Sequence, residues 1–225
     1  LGARTRVAAR GLPLALIHGF QNGIRNRMLS SSAHIMVSDR LADGFAGYQD
    51  LGQRLEKEFS GVTAVMPVVY GTVLVKGDGR EVSGAVFRGL DLSRQKKESW
   101  LTRLDFGRLP AHDRELLLGR EMAMKLNLFA GDSCLIVSPQ AALSPLGIMP
   151  RFKKFRISGI FRSGLYEFDS GTVISGLSAA QQLFSLKSRI SYLQGNLCDI
   201  FSAEKVAAAM RDRLGAQYTV ITWKV

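Results

Sequence analysis

The chain has 225 residues, of which 46% are hydrophobic, and its 30 lysines and arginines against 19 acidic residues give a net charge of +11. This length suits one large domain or two small ones, and the composition excludes a disordered or low-complexity protein. Every apolar run falls short of the roughly 18 residues that a membrane-spanning helix needs. This piece is therefore not predicted to cross a bilayer.

The positive charge is concentrated in two stretches. Residues 1–29 contain five arginines and no acidic residue, and residues 133–166 contain Arg151, Lys153, Lys154, Arg156 and Arg162 and again no acidic residue. The remainder of the chain is close to neutral. Such local clusters argue against one long nucleic-acid groove, so a basic nucleic-acid-binding module is only a distant alternative.

The first half of the chain alternates strand and helix signals. Residues 1–18 match no element and are expected to be poorly ordered; a short helix is predicted over 19–29 and a strand over 34–37. Tyr48, Leu51, Leu55 and Phe59 form the apolar stripe of a helix. The β-branched run 62–75 then predicts a strand, which the turn at Asp78-Gly79 returns into a second strand over 82–90.

The second half repeats this alternation after a polar, loop-rich connection over 93–113. Strands are predicted at 115–119, 132–138, 155–161, 172–175, 189–197 and 218–223. Helices are predicted at 120–128, 178–184 and 203–214, with Ser178 and Gln181 as a capping box and Ser202 as an N-cap. Recurring strand-helix-strand units predict an α+β or mixed α/β fold.

Motifs for catalysis are missing from the sequence. It contains no phosphate-binding GxxxxGK[ST] loop, no HExxH, no GxSxG and no paired-cysteine metal spacing, so no catalytic, cofactor or metal site is predicted. Glu167 and Asp169 would share one side of a strand but are interpreted as turn and strand-edge residues. Cys134 and Cys198 are interpreted as small buried hydrophobes, with a disulfide between them left open.

The segment from Ser138 to Phe155 differs from the other connections. It interrupts a predicted hairpin with an apolar stretch, three prolines and a basic cluster, and a connection of this length is commonly functional. A stiff loop with an apolar tip and a charged base has the features of a docking element. Folding of the loop back on its own core is the alternative.

Four blocks of sequence resemble a known family in order and spacing: GFQNGIRNRMLSSSAHI, GVTAVMPVV, LLLGREMAMKLNLFAGDSCLIVSP and SPLGIMPRFKKFRISGIFRSGLYEFDSG. They are similar to the periplasmic domain of LolC and LolE, the permease subunits of a lipoprotein-releasing ABC transporter related to MacB. The resemblance covers residues 19–225 and leaves 1–18 unmatched. It implies an α+β, MacB-like periplasmic domain with a porter-like subdomain of β-α-β units, a smaller mostly β subdomain and a protruding β-hairpin, the hook.

The resemblance also implies a function and partners. The full-length protein would be a multi-pass inner-membrane protein whose periplasmic domain helps to extract outer-membrane-destined lipoproteins and pass them to the chaperone LolA. Its partners would be a second permease of the LolC/LolE type and the cytoplasmic ATPase LolD, which supplies the ATP hydrolysis. The domain itself would be non-catalytic and without a cofactor.

By the same resemblance, the hook loop is expected at about 138–155. Its tip, which would bind the chaperone, comprises Pro145, Leu146, Gly147, Ile148, Met149 and Pro150. Its base comprises Arg151, Phe152 and Lys153. Phe152 departs from the polar residue expected of the LolC type, and the block 163–169 is as similar to LolE as to LolC, so a LolC, a LolE and a hybrid subunit all stay open. A MacB-type domain for efflux or toxin secretion, which lacks the hook, is the main alternative.

Overall fold

A computed structural model describes residues 34–40, 44–79, 81–94, 104–144 and 147–223, with the backbone alone for 140–144 and 147–149. The segment 1–18 and the helix predicted over 19–29 lie outside these residues. The described part forms β1 Ile35–Asp39, α1 Tyr48–Glu58, β2 Val62–Lys76, β3 Val82–Leu90, β4 Leu104–Gly107, β5 Glu115–Gly119, α2 Arg120–Leu126, β6 Ser133–Ser144, β7 Gly147–Phe161, α3 Tyr166–Gly171, β8 Thr172–Gly176, α4 Leu177–Leu183, β9 Tyr192–Leu197, α5 Ala203–Leu214 and β10 Tyr218–Thr222.

One end of the sheet is a four-stranded antiparallel unit in the order β10-β1-β9-β2. Strands β1 and β2 are the two arms of a split β-α-β unit joined by α1, and β9 and β10 are the arms of a second one joined by α5. The apolar stripe of α1 buries Leu51 and Leu55, and α5 buries Ala203, Ala207 and Met210. Both helices thus cover this part of the sheet, as their sequence periodicity predicts.

The other end of the sheet closes on itself. Strand β2 is long enough to pair with β9 near its start and with β3 and β6 near its end. The pairings then continue from β3 to β8, β5, β7 and β6, and so back to β2. Fully buried side chains from these strands fill the ring, with the rings of Phe87 and Phe155 5.6 Å apart.

Helix α4 packs against the ring, and glycines set how closely it approaches. A Cβ added at Gly71 would lie 2.5 Å from the ring of Phe184, and one added at Gly89 would overlap Ala180. Side chains at either position would therefore push the helix away from β2 and β3. A second buried cluster lies on the opposite surface of the sheet and comprises Val68, Leu90, Leu117, Phe161, Ile174 and Tyr192.

The predicted α+β class is confirmed, and so are the helix of residues 48–58 and the hairpin of β2 and β3. Three local interpretations are wrong. The connection over 93–113 contains a strand, β4, which pairs with β7. Glu167 and Asp169 lie on the short helix α3 and not on a strand. The capping box at Ser178 is wrong, because α4 begins at Leu177 after the N-cap Gly176, and the Ser178 hydroxyl donates to Asp113. Ser202 does occupy the predicted N-cap position of α5, but its side chain makes no capping hydrogen bond and its hydroxyl donates to the Asp199 carbonyl.

Candidate docking site on the β6–β7 hairpin

The segment predicted as a loop over 138–155 is largely paired strand. Strands β6 and β7 form an antiparallel ladder from Ser133 opposite Arg156 to Ser144 opposite Gly147. The ladder is irregular only between Ser138 and Ala142, where three residues of β6 stand against one of β7. Pro139 and Pro150 both lie at this irregularity, and a proline has no N–H to donate to a ladder. Pairing between the two strands satisfies backbone N–H and C=O groups of this long segment that would lack such partners in an unpaired loop.

The two ends of this ladder have different neighbours. Near its start, β6 pairs with β2 at Leu135 to Val137, and β7 pairs with β5 from Arg156 onward. Beyond Ser138 and Arg151, β6 and β7 pair only with each other in the part of the chain that the structure describes. The distal part of the hairpin is thus a two-stranded ribbon that continues two strands of the closed ring.

Four of the six predicted tip residues fall on this distal ribbon. Pro145 and Leu146 lie outside the described residues. Gly147, Ile148 and Met149 belong to β7, where their backbone pairs with 142–144, and Pro150 is exposed. Their assignment as chaperone-binding residues stays a prediction.

The three predicted base residues point to different sides of the hairpin. Phe152 stands opposite Val137 on the outer side and is 68% exposed. Arg151 and Lys153 alternate with it and point to the inner side, where both are half-buried. The base therefore presents one exposed aromatic side chain outward and two cations inward.

Lys153 is held by a hydrogen-bond network that the sequence analysis missed. Its Nζ donates to Gln182 Oε1 of α4 over 2.8 Å and lies 5.4 Å from the centre of the Phe155 ring. Gln182 Nε2 and Ser178 Oγ both donate to Asp113 Oδ2 over 2.9 Å. Burial lowers the pKa of Lys153. The network ties the base of the hairpin to α4 and to the β4–β5 loop, and the polar residues at 178 and 182 were its only signal in the sequence.

The β4–β5 loop is itself anchored by a buried carboxylate at the start of β5. Both oxygens of Glu115 accept from the Arg108 guanidinium, over 2.6 and 2.8 Å, and Oε2 also accepts from the Ala111 N–H. These hydrogen bonds, those from Arg108 above all, lower the pKa of Glu115 to about 2. The anchored loop carries Asp113 and so supports the Lys153 network.

Of the acidic pair Glu167 and Asp169, only Asp169 is held in place by hydrogen bonds from the preceding turn. Asp169 is buried, and its carboxylate accepts from the Ser163 N–H and hydroxyl and from the Gly164 N–H, whereas Glu167 is exposed. Asp169 itself lies in α3, and its carboxylate closes the turn before this helix, so the turn part of its interpretation holds and the strand-edge part is wrong. Across the described ranges, no group of three or more histidine, cysteine, aspartate or glutamate side chains is arranged to hold a metal ion.

The two cysteines are both free thiols in different environments. Cys134 is buried inside the ring, and burial raises its pKa to about 12. Cys198 is exposed just after β9, so its interpretation as a buried hydrophobe is wrong. The two thiols do not form the disulfide that the sequence left open.

The sequence is similar to curated proteins of one kind. Two curated relatives are lipoprotein-releasing system transmembrane proteins LolC: the protein of Xylella fastidiosa strain Temecula1 is 30% identical over 99% of this chain, and that of Neisseria meningitidis serogroup B is 25% identical over 93%. The chain spans about half the length of these relatives, 54% and 51% respectively. No protein-family model matches the sequence. The resemblance to LolC is nevertheless confirmed along nearly the whole chain.

A solved structure confirms the fold. The periplasmic region of MacB from Actinobacillus actinomycetemcomitans superposes with a TM-score of 0.53, covering 87% of this chain and 91% of that one at 13% identity. At this identity the likeness concerns the fold alone, and it agrees with the predicted MacB-like periplasmic domain. None of the helices formed by the described residues is long and apolar enough to cross a membrane.

Proposed function

We propose that this chain is the periplasmic domain of an inner-membrane ABC transporter permease that releases outer-membrane-destined lipoproteins and passes them to the chaperone LolA. The β6–β7 hairpin would be the hook that LolA binds. A second permease of the LolC/LolE type and the ATPase LolD would be the other partners. ATP hydrolysis in LolD would drive release, while this domain binds and positions without catalysing a reaction.

The observation that carries this proposal is the paired ribbon beyond Ser138 and Arg151. Because its strands are already hydrogen-bonded to each other, a partner that binds the tip would order little additional backbone. Both curated relatives are named as parts of a lipoprotein-releasing system and are of the LolC type, which favours that type here. The MacB-like fold is consistent with a permease domain of this class.

The contacts at the base of the hairpin would couple its position to that of the ring and of α4. Lys153 joins β7 to Gln182 of α4, and β7 also pairs with β5, whose first residue, Glu115, holds the adjacent loop. A movement of the ring would therefore move the hairpin with it. The cations of the basic stretch 151–156 would meanwhile accelerate encounter with an acidic surface of the chaperone.

Binding of the purified domain to purified LolA, measured by isothermal titration calorimetry, tests the proposal. Met149→Glu and Pro145→Arg place charges on the predicted tip and should abolish binding without changing the thermal melt. Met124→Glu is the matched control, because Met124 is a 58% exposed apolar side chain on α2 and should tolerate the same charge. Unchanged binding by both tip variants would refute the hook assignment.

A MacB-type domain for efflux or secretion is the second candidate, favoured by the fold likeness alone. It predicts that the wild-type domain does not bind LolA at any accessible concentration. The same titration therefore separates the two candidates.

A further inference from the structure

The first strand of the described sheet begins beside the end of the last one. Strand β1 starts with Ile35 opposite Thr222, the final residue of β10. One residue further out, the Trp223 N–H donates to the His34 carbonyl over 3.3 Å. The described part of the chain therefore starts and finishes at one end of the sheet, around His34 and Trp223, which we call the entry end.

Two connections of the chain also lie at the entry end. The Cys198 N–H donates to the Gly61 carbonyl over 3.0 Å, which joins the connection from β9 to α5 to the connection from α1 to β2. Trp223 Nε1 donates to the Ile200 carbonyl over 3.2 Å. Residues 198–202, which we call the β9–α5 turn, thus pack directly beside the point where the described chain leaves the sheet.

The β9–α5 turn presents Phe201 at this end. Asp199 Oδ1 accepts from the Phe201 N–H over 3.0 Å, and the Ser202 hydroxyl donates to the Asp199 carbonyl over 2.6 Å. These hydrogen bonds support a 3₁₀ turn over Ile200–Ser202. They involve the backbone of residue 201 and not its ring, which is 59% exposed. The turn is therefore a preformed support for an exposed aromatic side chain.

The charges around the turn do not favour an anionic or acidic partner. Residues 198–205 contain two carboxylates, Asp199 and Glu204, and one cation, Lys205. All three side chains are exposed. The segment thus lacks the excess of positive charge that attracts anionic phospholipids or acidic protein segments. A contact made by this turn would depend on the apolar ring of Phe201.

We propose that the β9–α5 turn contacts the lipid bilayer, with the Phe201 ring inserted at the boundary between the headgroups and the acyl chains. This inference rests on the proposed function, because the entry end is where the domain of a multi-pass permease would continue into the membrane. An aromatic ring at this depth leaves water while the polar groups beside it stay hydrated. The contact would set the orientation of the domain, and with it the direction of the β6–β7 hairpin.

A fluorescent probe on Cys198 tests the proposal. Cys198 is an exposed thiol close to Phe201 in sequence, whereas Cys134 is buried, so a maleimide probe labels Cys198 selectively in the folded chain. The labelled chain is anchored through a C-terminal histidine tag to phosphatidylcholine vesicles that contain nickel-chelating lipid. The tag holds the entry end at the lipid surface. Spin-labelled phosphatidylcholine then quenches the probe where the turn inserts.

The probe on the wild-type chain should be quenched. Phe201→Glu should lower the ratio of inserted to withdrawn turn about tenfold or more, the order expected for loss of one buried phenylalanine side chain. Phe201→Leu keeps an apolar side chain and should keep most of the quenching. Phe129→Glu is the matched control, because Phe129 is a 63% exposed phenylalanine in the turn between α2 and β6, and this variant should be quenched as the wild type is. The thermal melts should not change.

Three results would overturn the lipid contact. An unquenched probe on the wild type, or equal quenching in Phe201→Glu, would show that the ring does not insert. Quenching that requires phosphatidylglycerol and disappears at high salt would assign the contact to charge. A wild-type dimer in sedimentation velocity that Phe201→Glu dissociates would assign the ring to a second copy of this chain.

Failure of the proposed function is distinguishable, because the vesicle assay contains no LolA. A wild-type chain that binds LolA in calorimetry but whose probe is unquenched would overturn the lipid contact alone. Quenching of the probe without any LolA binding would overturn the proposed function and keep the lipid contact.

Discussion

Glu115→Gln removes the carboxylate that anchors the β4–β5 loop while keeping the size of the side chain. The Glu115 side chain is 8% exposed and accepts hydrogen bonds from Arg108 and from the Ala111 N–H. The glutamine would turn an amide NH2 toward these donors. One of these donors would then lack an acceptor, and the charge of Arg108 would lose its partner.

The magnitude follows from the pKa of Glu115, which falls from 4.5 to about 2 in the folded chain. At 1.36 kcal/mol per pKa unit, this difference corresponds to an upper bound of about 3 kcal/mol. Arg108 is 57% exposed, and solvent screening of its charge reduces the expected loss of unfolding free energy to about 1–2 kcal/mol at neutral pH.

The sign of the pH dependence is also determined. Because the pKa is lower in the folded than in the unfolded state, the carboxylate stabilises the fold above its unfolded pKa. This stabilisation is lost as the pH falls from 4.5 toward about 2. The difference in stability between wild type and Glu115→Gln should therefore shrink over the same interval.

Urea unfolding followed by circular dichroism, at neutral pH and at steps down through this interval, measures the effect. Glu167→Gln is the control, since Glu167 is exposed and should change the unfolding free energy little. An unfolding free energy of Glu115→Gln equal to that of the wild type, or a difference independent of pH, would contradict the anchoring role.

Two further predictions concern packing and thiol chemistry. Gly71→Val should destabilise the domain by about 1–3 kcal/mol in urea unfolding, because its Cβ would lie 2.5 Å from the Phe184 ring; Gly84→Val, on the neighbouring strand and in open space, should not. Equal midpoints for the two valine variants would contradict the packing of α4 on the ring. A thiol reagent such as dithionitrobenzoate should modify Cys198 in the folded domain and Cys134 only on unfolding, since burial raises the pKa of Cys134 to about 12. Two equally fast thiols in the native protein would contradict the burial of Cys134.

Local patterns in the sequence predicted the elements whose signal lies within a few residues. The stripe from Tyr48 to Phe59 predicted α1, and the Asp78-Gly79 turn predicted the pairing of β2 with β3, because both depend on neighbouring side chains and backbone. The capping box predicted at Ser178 is wrong, because α4 begins one residue earlier, after Gly176, and the Ser178 hydroxyl donates to Asp113. Only the tertiary structure brings Asp113, 65 residues away in sequence, within reach of this hydroxyl.

The same distinction holds for the candidate site. Sequence blocks and the composition of residues 138–155 singled out the hairpin and the family it resembles. The composition of this segment also suggested a loop. In the structure the segment is instead a ladder of β6 with β7, and the pairing of β6 with β2 makes this ladder a continuation of the closed ring. Closure of the ring depends on pairings such as Leu74 with Val137, which lie more than sixty residues apart. The sequence by itself therefore determined which segments are strands and helices and which family they resemble. The tertiary structure decided which strands pair and which side chains share a face, because non-local backbone pairing is not encoded in any local period.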